Sequence, residues 1–265
     1  MSFPFLKLVG AGNDFIFLSG DDLPKNKSRS QWAQTLCQKN FGVGADGLVI
    51  IEDWQNEGQR PEFRWDFYNS DGSKANMCGN AARCATLYSQ IRSPQSDTCR
   101  FQTALGWLEG QVSELGFSVS WGWAKPDPEQ KTLTIENGKR VTGYFVNSGV
   151  PHFVIVDGEA SNLSGRDCLL IQAHEIFGEE QTNVTLLTET AQDIANTKSF
   201  ERGVRNFTLA CGTGVIASAL VLQKIKGGHR HRLQAPGGLL GVELFEDKVI
   251  HQGPAICSFR GTFQY

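Results

Sequence analysis

Short segments in which apolar and polar positions alternate make up most of this chain, and glycines separate them. Alternation with a period of two is typical of half-buried strands, so the pattern predicts a β-rich, mostly antiparallel protein. The 29 glycines fit the many turns that such a protein needs. The predicted strands cover residues 5–9, 15–18, 48–51, 63–68, 107–108, 117–121, 145–146, 153–156, 184–188, 242–245 and 255–259.

Three segments have the apolar spacing of a helix instead. The first covers residues 30–41 and places Trp32, Leu36 and Cys37 on one stripe. The other two each begin at a cysteine and cover residues 78–91 and 211–225.

The two segments that begin with cysteine form an internal repeat. Cys-Gly-Asn-Ala-Ala-Arg-Cys-Ala at 78–85 resembles Cys-Gly-Thr-Gly-Val-Ile-Ala-Ser at 211–218, about half of the 265-residue chain later. A repeat at that interval predicts two related β-rich halves, each with one central helix. We expect the boundary near residues 123–128, because Lys-Pro-Asp-Pro at 125–128 interrupts regular structure.

Composition and charge narrow the class of protein. Hydrophobic residues make up 40% of the chain and charged residues 20%, which predicts a packed, soluble protein. The formal net charge of -3 gives no argument for a nucleic-acid partner or an anionic membrane. Residues 1–10 lack the pattern of a signal peptide, and no run approaches the roughly 18 apolar residues of a membrane span. We therefore expect a cytoplasmic protein.

Seven cysteines are present, and their spacing shows no Cys-x-x-Cys pair and no Cys/His cluster of the zinc-binding kind. A structural metal is therefore not expected. In a reducing compartment the default for a cysteine is a buried, inert thiol. That interpretation applies to Cys37, Cys84, Cys99, Cys168 and Cys257.

Cys78 and Cys211 differ from the other five because each stands at the start of a predicted helix. A helix N-terminus offers backbone N–H groups and the positive end of a dipole, which stabilise a thiolate and bind anions such as carboxylates. Two such helix starts around one atom suit proton transfer at an amino-acid α-carbon, one thiolate removing the proton and the opposite thiol delivering another. Such a reaction requires no pyridoxal phosphate, other cofactor or metal.

Several motifs resemble those of the diaminopimelate epimerases. They are Gly-Ala-Gly-Asn-Asp-Phe at 10–15, Phe-Tyr-Asn-Ser-Asp-Gly at 67–72 followed by Met-Cys-Gly-Asn-Ala-Ala-Arg-Cys at 77–84, Glu-Arg-Gly-Val at 201–204 and Thr-Leu-Ala-Cys-Gly-Thr-Gly at 208–214. The resemblance implies an isomerase that interconverts LL- and meso-2,6-diaminopimelate without a cofactor, in lysine and peptidoglycan precursor synthesis. It also implies a possible homodimer.

The fold implied by this resemblance is α+β. It has two pseudo-symmetric, β-barrel-like domains, each wrapped around a central helix, with the active site in the cleft between them. The last strand of the family returns to the first domain. The expected domains are therefore residues 1–124 with 255–265, carrying Cys78, and residues 125–254, carrying Cys211.

The resemblance also implies roles for particular residues. Cys78 and Cys211 would be the two acid/base residues. The reacting α-carboxylate would be bound at the two helix starts, by Gly79, Asn80, Gly212 and Thr213.

The remaining groups of the amino-acid substrate would be bound elsewhere in the site. Its amino groups and distal carboxylate would contact Asn13, Asn69, Asn183, Glu201 and Arg202. Arginine suits a carboxylate because its planar fork binds both oxygens. His152 and Glu201 are the candidates for tuning the thiols.

Some positions depart from the family pattern without touching the thiols. Val150 stands where members often have Asn, and Gly47 where some have Gln. Phe207 replaces a usual acidic residue.

Other functions use some of the same residues. A proline or hydroxyproline racemase would share the scaffold, but typically has His where this chain has Asn80 and lacks a counterpart of the Glu201–Arg202 pair. A thiol hydrolase could use Cys211 with His152, and a redox switch could join two thiols.

Two short motifs are interpreted as structural features rather than as binding or catalytic sites. Gly-Val-Gly-Ala-Asp-Gly at 42–47 precedes an apolar β-type run rather than a helix, which argues against a dinucleotide site. His-Arg-His-Arg at 229–232 is interpreted as a solvated turn.

Overall fold

A computed structural model describes residues 2–56, 60–136, 138–189 and 193–265. Most of the secondary structure is β. The strands are β1 (Ser2–Gly10), β2 (Asn13–Ser19), β3 (Gly47–Gln55), β4 (Glu62–Asn69), β5 (Lys74–Ala75), β6 (Thr98–Thr103), β7 (Gly106–Ser113), β8 (Gly116–Gly122), β9 (Glu129–Thr134), β10 (Arg140–Asn147), β11 (Pro151–Val156), β12 (Asn183–Glu189), β13 (Ile194–Glu201), β14 (Asn206–Phe207), β15 (Arg230–Ala235), β16 (Gly238–Leu244), β17 (Lys248–Gly253) and β18 (Ile256–Gln264).

Helices are fewer and stand between particular strands. They are α1 (Arg29–Cys37), α2 (Gly79–Arg92), α3 (Asp157–Ser161), α4 (Gly165–Gln172) and α5 (Gly212–Lys226). By contacts between Cα atoms the chain forms two compact units, Met1–Trp121 with Gln252–Tyr265, and Gly122–His251. The domain boundaries drawn from the sequence stay a prediction.

In the first unit the strands pair in the order β18-β1-β2-β3-β4-β6-β7-β8. The β2–β3 and β4–β6 pairs are parallel, and the other pairs are antiparallel. Parallel neighbours need a crossover connection. Helix α1 forms the crossover between β2 and β3, and helix α2 the one between β4 and β6.

The alternation of side chains along β2 shows how this unit builds its core. Phe15 and Phe17 belong to the cluster that surrounds helix α2, while Ile16 and Leu18 belong to the cluster beneath helix α1. Successive strand residues point to opposite faces, so one strand contributes to both clusters. Helix α2 contacts β1, β2, β6 and β7 and is therefore the central helix of the unit.

The second unit repeats this arrangement. Its strands pair in the order β9-β10-β11-β12-β13-β15-β16, with β11–β12 and β13–β15 parallel. Helix α4 lies in the connection between the first parallel pair and α5 in the connection between the second. Helix α5 is the central helix of this unit, because it contacts most of the unit's strands: β10, β11, β12, β13, β15 and β16. The α+β class with two related, strand-rich halves is thus confirmed.

Each predicted strand overlaps a strand of the structure, and the two helices that begin at cysteines are confirmed. The first helix is shorter than predicted, because it ends at Cys37 and Asn40 has a φ of 71°. Helix α4 was not predicted, although a Ser164–Asp167 capping box marks its start.

The interpretation of residues 229–232 as a solvated turn is wrong. Residues 230–232 are the first three residues of strand β15, in which Leu233 and Ala235 are buried and Arg230 is exposed. The basic side chains occupy the first positions of the strand and obscure its alternation. By contrast, residues 42–47 lead into strand β3, as predicted, and not into a helix.

None of the helices among the described residues is both long enough and apolar enough to cross a membrane.

Candidate active site

Cys78 is the N-cap of helix α2, with φ -147° and ψ 121°. The extended conformation turns the chain into the helix at Gly79, and the carbonyl of Cys78 accepts the first helical bond from Ala82 N at 2.9 Å. The side chain is half-buried. Cys78 therefore immediately precedes the N–H groups of the first helical turn, at the helix end where the dipole favours an anion.

The first turn of α2 is fixed to the start of strand β2 by side-chain amides. Asn80 is buried, and its Nδ2 donates to Asn13 Oδ1 at 2.6 Å. Asn13 Nδ2 in turn donates to Asp46 Oδ2 at 3.0 Å. A Cβ at Gly10 would lie 2.7 Å from the carbonyl oxygen of Asn80, so only glycine permits this approach of β1. The structure thus brings together Asn13, Asn80 and Cys78.

Asn69 ends strand β4 at an exposed position. Its Nδ2 donates to Ser73 Oγ at 2.9 Å, and its carbonyl accepts from Gly72 N at 2.9 Å. These contacts belong to the turn that follows the strand. They do not join Asn69 to the helix start.

Cys211 occupies the same position in the second unit, as the N-cap of helix α5 with φ -110° and ψ 107°. Its carbonyl accepts from Val215 N at 2.9 Å, and its side chain is half-buried. The Sγ atom lies 3.3 Å from Thr213 Oγ1.

The Glu201 carboxyl group is the second neighbour of the Cys211 thiol. It makes a hydrogen bond to Cys211 and accepts another from Thr208 Oγ1 at 2.5 Å. Burial raises the pKa of Glu201 above its usual value, partly offset by these two bonds. Cys211 therefore lies beside a carboxyl group that is itself partly withdrawn from water.

His152 lies under the helix start, in strand β11, and is fully buried. Its Nδ1 lies 2.9 Å from Thr185 Oγ1 and its Nε2 2.9 Å from Thr213 Oγ1. Burial, with a smaller contribution from the Arg202 charge, lowers the pKa of His152 to about 3. The imidazole is therefore neutral at physiological pH and reaches the Cys211 region through Thr213.

Asn183 begins strand β12 and orients the segment after β13. Its Oδ1 accepts from Arg202 N at 3.0 Å, and its Nδ2 donates to Pro151 O at 3.1 Å. Arg202 is half-buried, and its guanidinium donates to the carbonyl of Glu180. Asn183 is buried, so in this structure it positions the backbone at Arg202.

The structure thus groups the predicted residues within each unit. Cys78, Gly79, Asn80 and Asn13 lie together in the first, and Cys211, Thr213, His152 and Glu201 lie together in the second. Gly212 is the first residue of α5, and Asn183 contacts both His152, at 3.5 Å, and Arg202.

Sequence reasoning missed two groups. Thr185 contacts Nδ1 of His152, the ring nitrogen that does not face Thr213, and its hydroxyl lies 3.0 Å from Ser199 Oγ. Arg83 lies fully buried in the first turns of α2. The alternation of strand β12 could have placed Thr185 on the His152 side; a buried arginine has no comparable local signal.

Four of the other five thiols are buried, unlike those of Cys78 and Cys211. Burial raises the pKa of Cys37 and Cys168 to about 12 and of Cys99 to about 11. Cys84 is also buried, and its pKa is raised for the same reason. Cys257 departs from the expected burial, since its side chain is half-buried on β18. Among the described residues, no group of three or more His, Cys, Asp or Glu side chains could hold a metal ion.

The sequence model of the family described as diaminopimelate epimerase matches residues 5–124 and 144–257. These ranges include both cysteine helix starts. The chain belongs to the diaminopimelate epimerase family. The resemblance seen in the motifs is thereby confirmed, and the chain is an isomerase by family.

Individual members of the diaminopimelate epimerase family match over most of their length. The diaminopimelate epimerase of Aquifex aeolicus (strain VF5) is 38% identical over 259 residues, covering 92% of this chain and 90% of that protein. The diaminopimelate epimerase of Hydrogenobaculum sp. (strain Y04AAS1) is 33% identical and covers 98% of both chains.

Solved structures extend the fold beyond the diaminopimelate epimerases. A phenazine biosynthesis protein of the PhzF family from Enterococcus faecalis superposes with a TM-score of 0.72 at 17% identity, covering 100% of both chains. A hydroxyproline epimerase from Agrobacterium vitis gives a TM-score of 0.66 at 13% identity, covering 98% of this chain and 92% of that one. At these identities the likeness concerns the fold alone.

Proposed function

We propose that this protein interconverts LL-2,6-diaminopimelate and meso-2,6-diaminopimelate by acid/base catalysis with two thiols and no cofactor. The observation that carries the proposal is the equivalent position of Cys78 and Cys211, each the N-cap of the central helix of its unit. Membership in the diaminopimelate epimerase family supports the substrate. The reaction would serve lysine and peptidoglycan precursor synthesis.

In this mechanism both thiols act on one α-carbon. The thiolate of one cysteine takes the α-proton and becomes a thiol, while the thiol of the other gives its proton to the opposite face and becomes a thiolate. Negative charge develops on the α-carboxylate during this exchange. The N–H groups at Gly79, Asn80, Gly212 and Thr213 are fixed donors for that charge, because a helix start needs no reorganisation to receive an anion.

The distal end of the substrate carries a second ammonium and carboxylate. We assign its carboxylate to Arg202, whose backbone is held by Asn183 at 3.0 Å and whose half-buried guanidinium can form a bidentate pair. We assign Asn13, Asn69 and Glu201 to the remaining polar groups of the substrate. The assignment of Asn13 has the least direct support, because its amide already contacts Asn80 and Asp46.

Glu201 and His152 have separate effects on Cys211 in this proposal. The Glu201 carboxyl accepts a hydrogen bond from the thiol and so favours its protonated form. The neutral His152 ring fixes the Thr213 hydroxyl, which lies 3.3 Å from the sulfur. Tuning of Cys211 is therefore assigned to both residues, His152 acting through Thr213.

The structure gives little support to a thiol hydrolase. A hydrolase would need His152 as the base for Cys211, but both ring nitrogens lie 2.9 Å from threonine hydroxyls. The low pKa of His152, about 3, would also make it a poor general base at neutral pH. The hydroxyproline epimerase is 13% identical to this chain, so that likeness concerns the fold alone and does not support the racemase alternative.

Incubation of the reduced enzyme with LL-diaminopimelate in deuterium oxide tests the proposal. We expect meso isomer to form and deuterium to enter the α-position, without added pyridoxal phosphate and in the presence of a chelator. Chiral chromatography and mass spectrometry measure both quantities. A preparation that is folded and reduced, yet neither exchanges nor interconverts the isomers, would contradict the assignment.

We also propose that the protein acts in the cytoplasm and as a homodimer. All seven cysteines are free thiols, which fits a reducing compartment. Strand β18 exposes Ile256 and Phe259, and Tyr265 directly after it is also exposed, which gives an apolar set that a second copy could cover. Sedimentation of the protein and of Phe259→Lys tests the dimer. A monomeric wild-type protein at micromolar concentration would overturn it.

A further inference from the structure

Arg83 is a charged residue in the interior of the first unit. Its side chain is fully buried on helix α2, in the second turn after the Cys78 N-cap. Burial lowers the pKa of its guanidinium to about 10, which reflects the cost of keeping the charge away from water. A buried charge of this kind needs partners that offset that cost.

Packing alone does not require this arginine. Helix α5 begins with the same Cys-Gly pair, and the residue five positions after its cysteine is Ile216. Ile216 is 2% exposed, so an apolar side chain fills the equivalent position of the second unit. The charge at position 83 is therefore a feature of the first helix start only.

The guanidinium contacts the residues that immediately follow Cys78. Its Nη2 donates to Asn80 Oδ1 at 2.7 Å, and its Nη1 approaches the carbonyl of Gly79 at 3.4 Å. Because Asn80 Oδ1 faces Arg83, the Nδ2 of the same amide points to Asn13. Arg83 thus sets the orientation of the amide that joins the helix start to strand β2.

The positive charge of Arg83 also acts on the sulfur atoms of two cysteines. Both Cys84 and Cys78 interact electrostatically with it, and a thiolate at either position would stabilise the guanidinium. Cys84 is fully buried, and the large rise in its pKa keeps it a neutral thiol. The half-buried Cys78 is therefore the sulfur on which the positive charge can act.

Other charges of this region lie beyond Asn13. Lys7 Nζ pairs with Asp14 Oδ2 at 2.7 Å, and Asp14 and Asp46 exchange backbone-to-carboxylate bonds. Two carboxylates and one ammonium balance to a single negative charge at that end. They oppose the effect of Arg83. The guanidinium therefore acts in the same direction as the helix dipole, since both favour a thiolate at Cys78.

We propose that Arg83 is a positioning residue of the first helix start, which orients the Asn80 amide beside Cys78 and places a buried positive charge that favours the Cys78 thiolate. The effect on turnover rests on the proposed epimerase function. The effect of Arg83 on the Cys78 sulfur does not rest on that function, because it can be measured in the protein without substrate.

The test measures how fast iodoacetamide alkylates each thiol between pH 5 and pH 10, with peptide mass spectrometry to separate the sites. Each thiol gives a curve of alkylation rate against pH, and its midpoint is the pH at half of the maximal rate. In the wild-type protein we expect the midpoint for Cys78 to lie below that for Cys257, a half-buried thiol of the same unit. Arg83→Met should raise the Cys78 midpoint by roughly one pH unit or more, the usual effect of losing a neighbouring opposite charge. The Cys211 profile should not move in this variant.

Arg83→Lys is the matched control, because it keeps the charge and loses the planar fork. We expect it to keep a Cys78 midpoint close to that of the wild type. Arg83→Gln is a second neutral variant, to be used if Arg83→Met does not fold by circular dichroism. For turnover, the pH profile of kcat should shift upward in the neutral variants, so that higher pH restores part of the lost rate.

Three outcomes would overturn the inference. They are a wild-type Cys78 midpoint no lower than that of Cys257, an unchanged midpoint in a folded neutral variant, and an equal rise in Arg83→Lys. Failure of the wild-type enzyme to epimerise diaminopimelate would refute the proposed function instead, and would leave the alkylation result standing.

Discussion

The Oγ1 atom of Thr213 lies 2.9 Å from Nε2 of His152, and the same oxygen lies 3.3 Å from the sulfur of Cys211. The threonine hydroxyl therefore stands between a buried imidazole and a candidate acid/base thiol. Because both ring nitrogens of His152 face threonine hydroxyls, the histidine orients the hydroxyl rather than the sulfur. The second helix start is thus positioned from beneath by strand β11.

Replacement of Thr213 by valine tests that arrangement. The change removes the hydroxyl and leaves His152 Nε2 with only the longer, 3.5 Å contact to Asn183. Loss of such a hydrogen bond costs about 1 kcal/mol or more of stabilisation. We expect kcat to fall roughly tenfold in steady-state assays with diaminopimelate. Thr213→Ser keeps the hydroxyl and should stay close to wild type. Equal rates for the valine and serine variants would show that the hydroxyl does not matter.

The two-thiol mechanism makes a symmetric prediction for Cys78→Ser and Cys211→Ser. A serine hydroxyl is far less acidic than a thiol, so each variant should lose about two to four orders of magnitude in kcat. Cys257→Ser is the control, since it removes a half-buried thiol outside both helix starts. Near-normal turnover in either of the first two variants would disprove the mechanism.

Arg202→Met should weaken substrate binding if Arg202 binds the distal carboxylate. Loss of one partner of such a pair costs at least about 2 kcal/mol, so we expect KM to rise roughly thirtyfold. Arg205→Met is the matched control, because Arg205 lies on the same turn but is exposed. A KM that changes equally in both variants, or in neither, would remove Arg202 from the site.

The buried His152 predicts a loss of stability on acidification. Its pKa is about 3 in the folded protein and about 6.5 in the unfolded chain, so the unfolded state binds a proton first as the pH falls. The contribution of His152 is therefore fully present above about pH 6.5 and is lost progressively toward pH 3.

Urea unfolding at pH 7 and pH 5 measures this effect. His152 alone should lower the free energy of unfolding by roughly 2 kcal/mol between these two conditions. His152→Gln should show a smaller decrease, and the exposed His229→Gln should behave like the wild type. An identical pH dependence in His152→Gln would mean that the imidazole does not remain neutral in the folded state.

Much of the fold could be predicted from local patterns in the sequence. Alternation identified strands such as β4, short apolar runs identified β2 and β11, and the Cys-Gly pairs marked the starts of α2 and α5. These features depend on residues close together in the chain, which is why a linear sequence determines them. The family motifs likewise identified the two cysteines and their neighbours.

Only the tertiary structure decided which strands run parallel, that residues 230–235 form a strand, and what lies beneath each helix start. The hydrogen bond from Asn80 to Asn13 and the contact of His152 with Thr213 join residues 67 and 61 positions apart. The burial of Arg83 depends on strands that surround α2 from distant parts of the chain. Long-range packing sets these contacts, and no local pattern of residues carries that information. The sequence by itself therefore determined that Cys78 and Cys211 stand at two helix starts, while the fold decided what surrounds each sulfur.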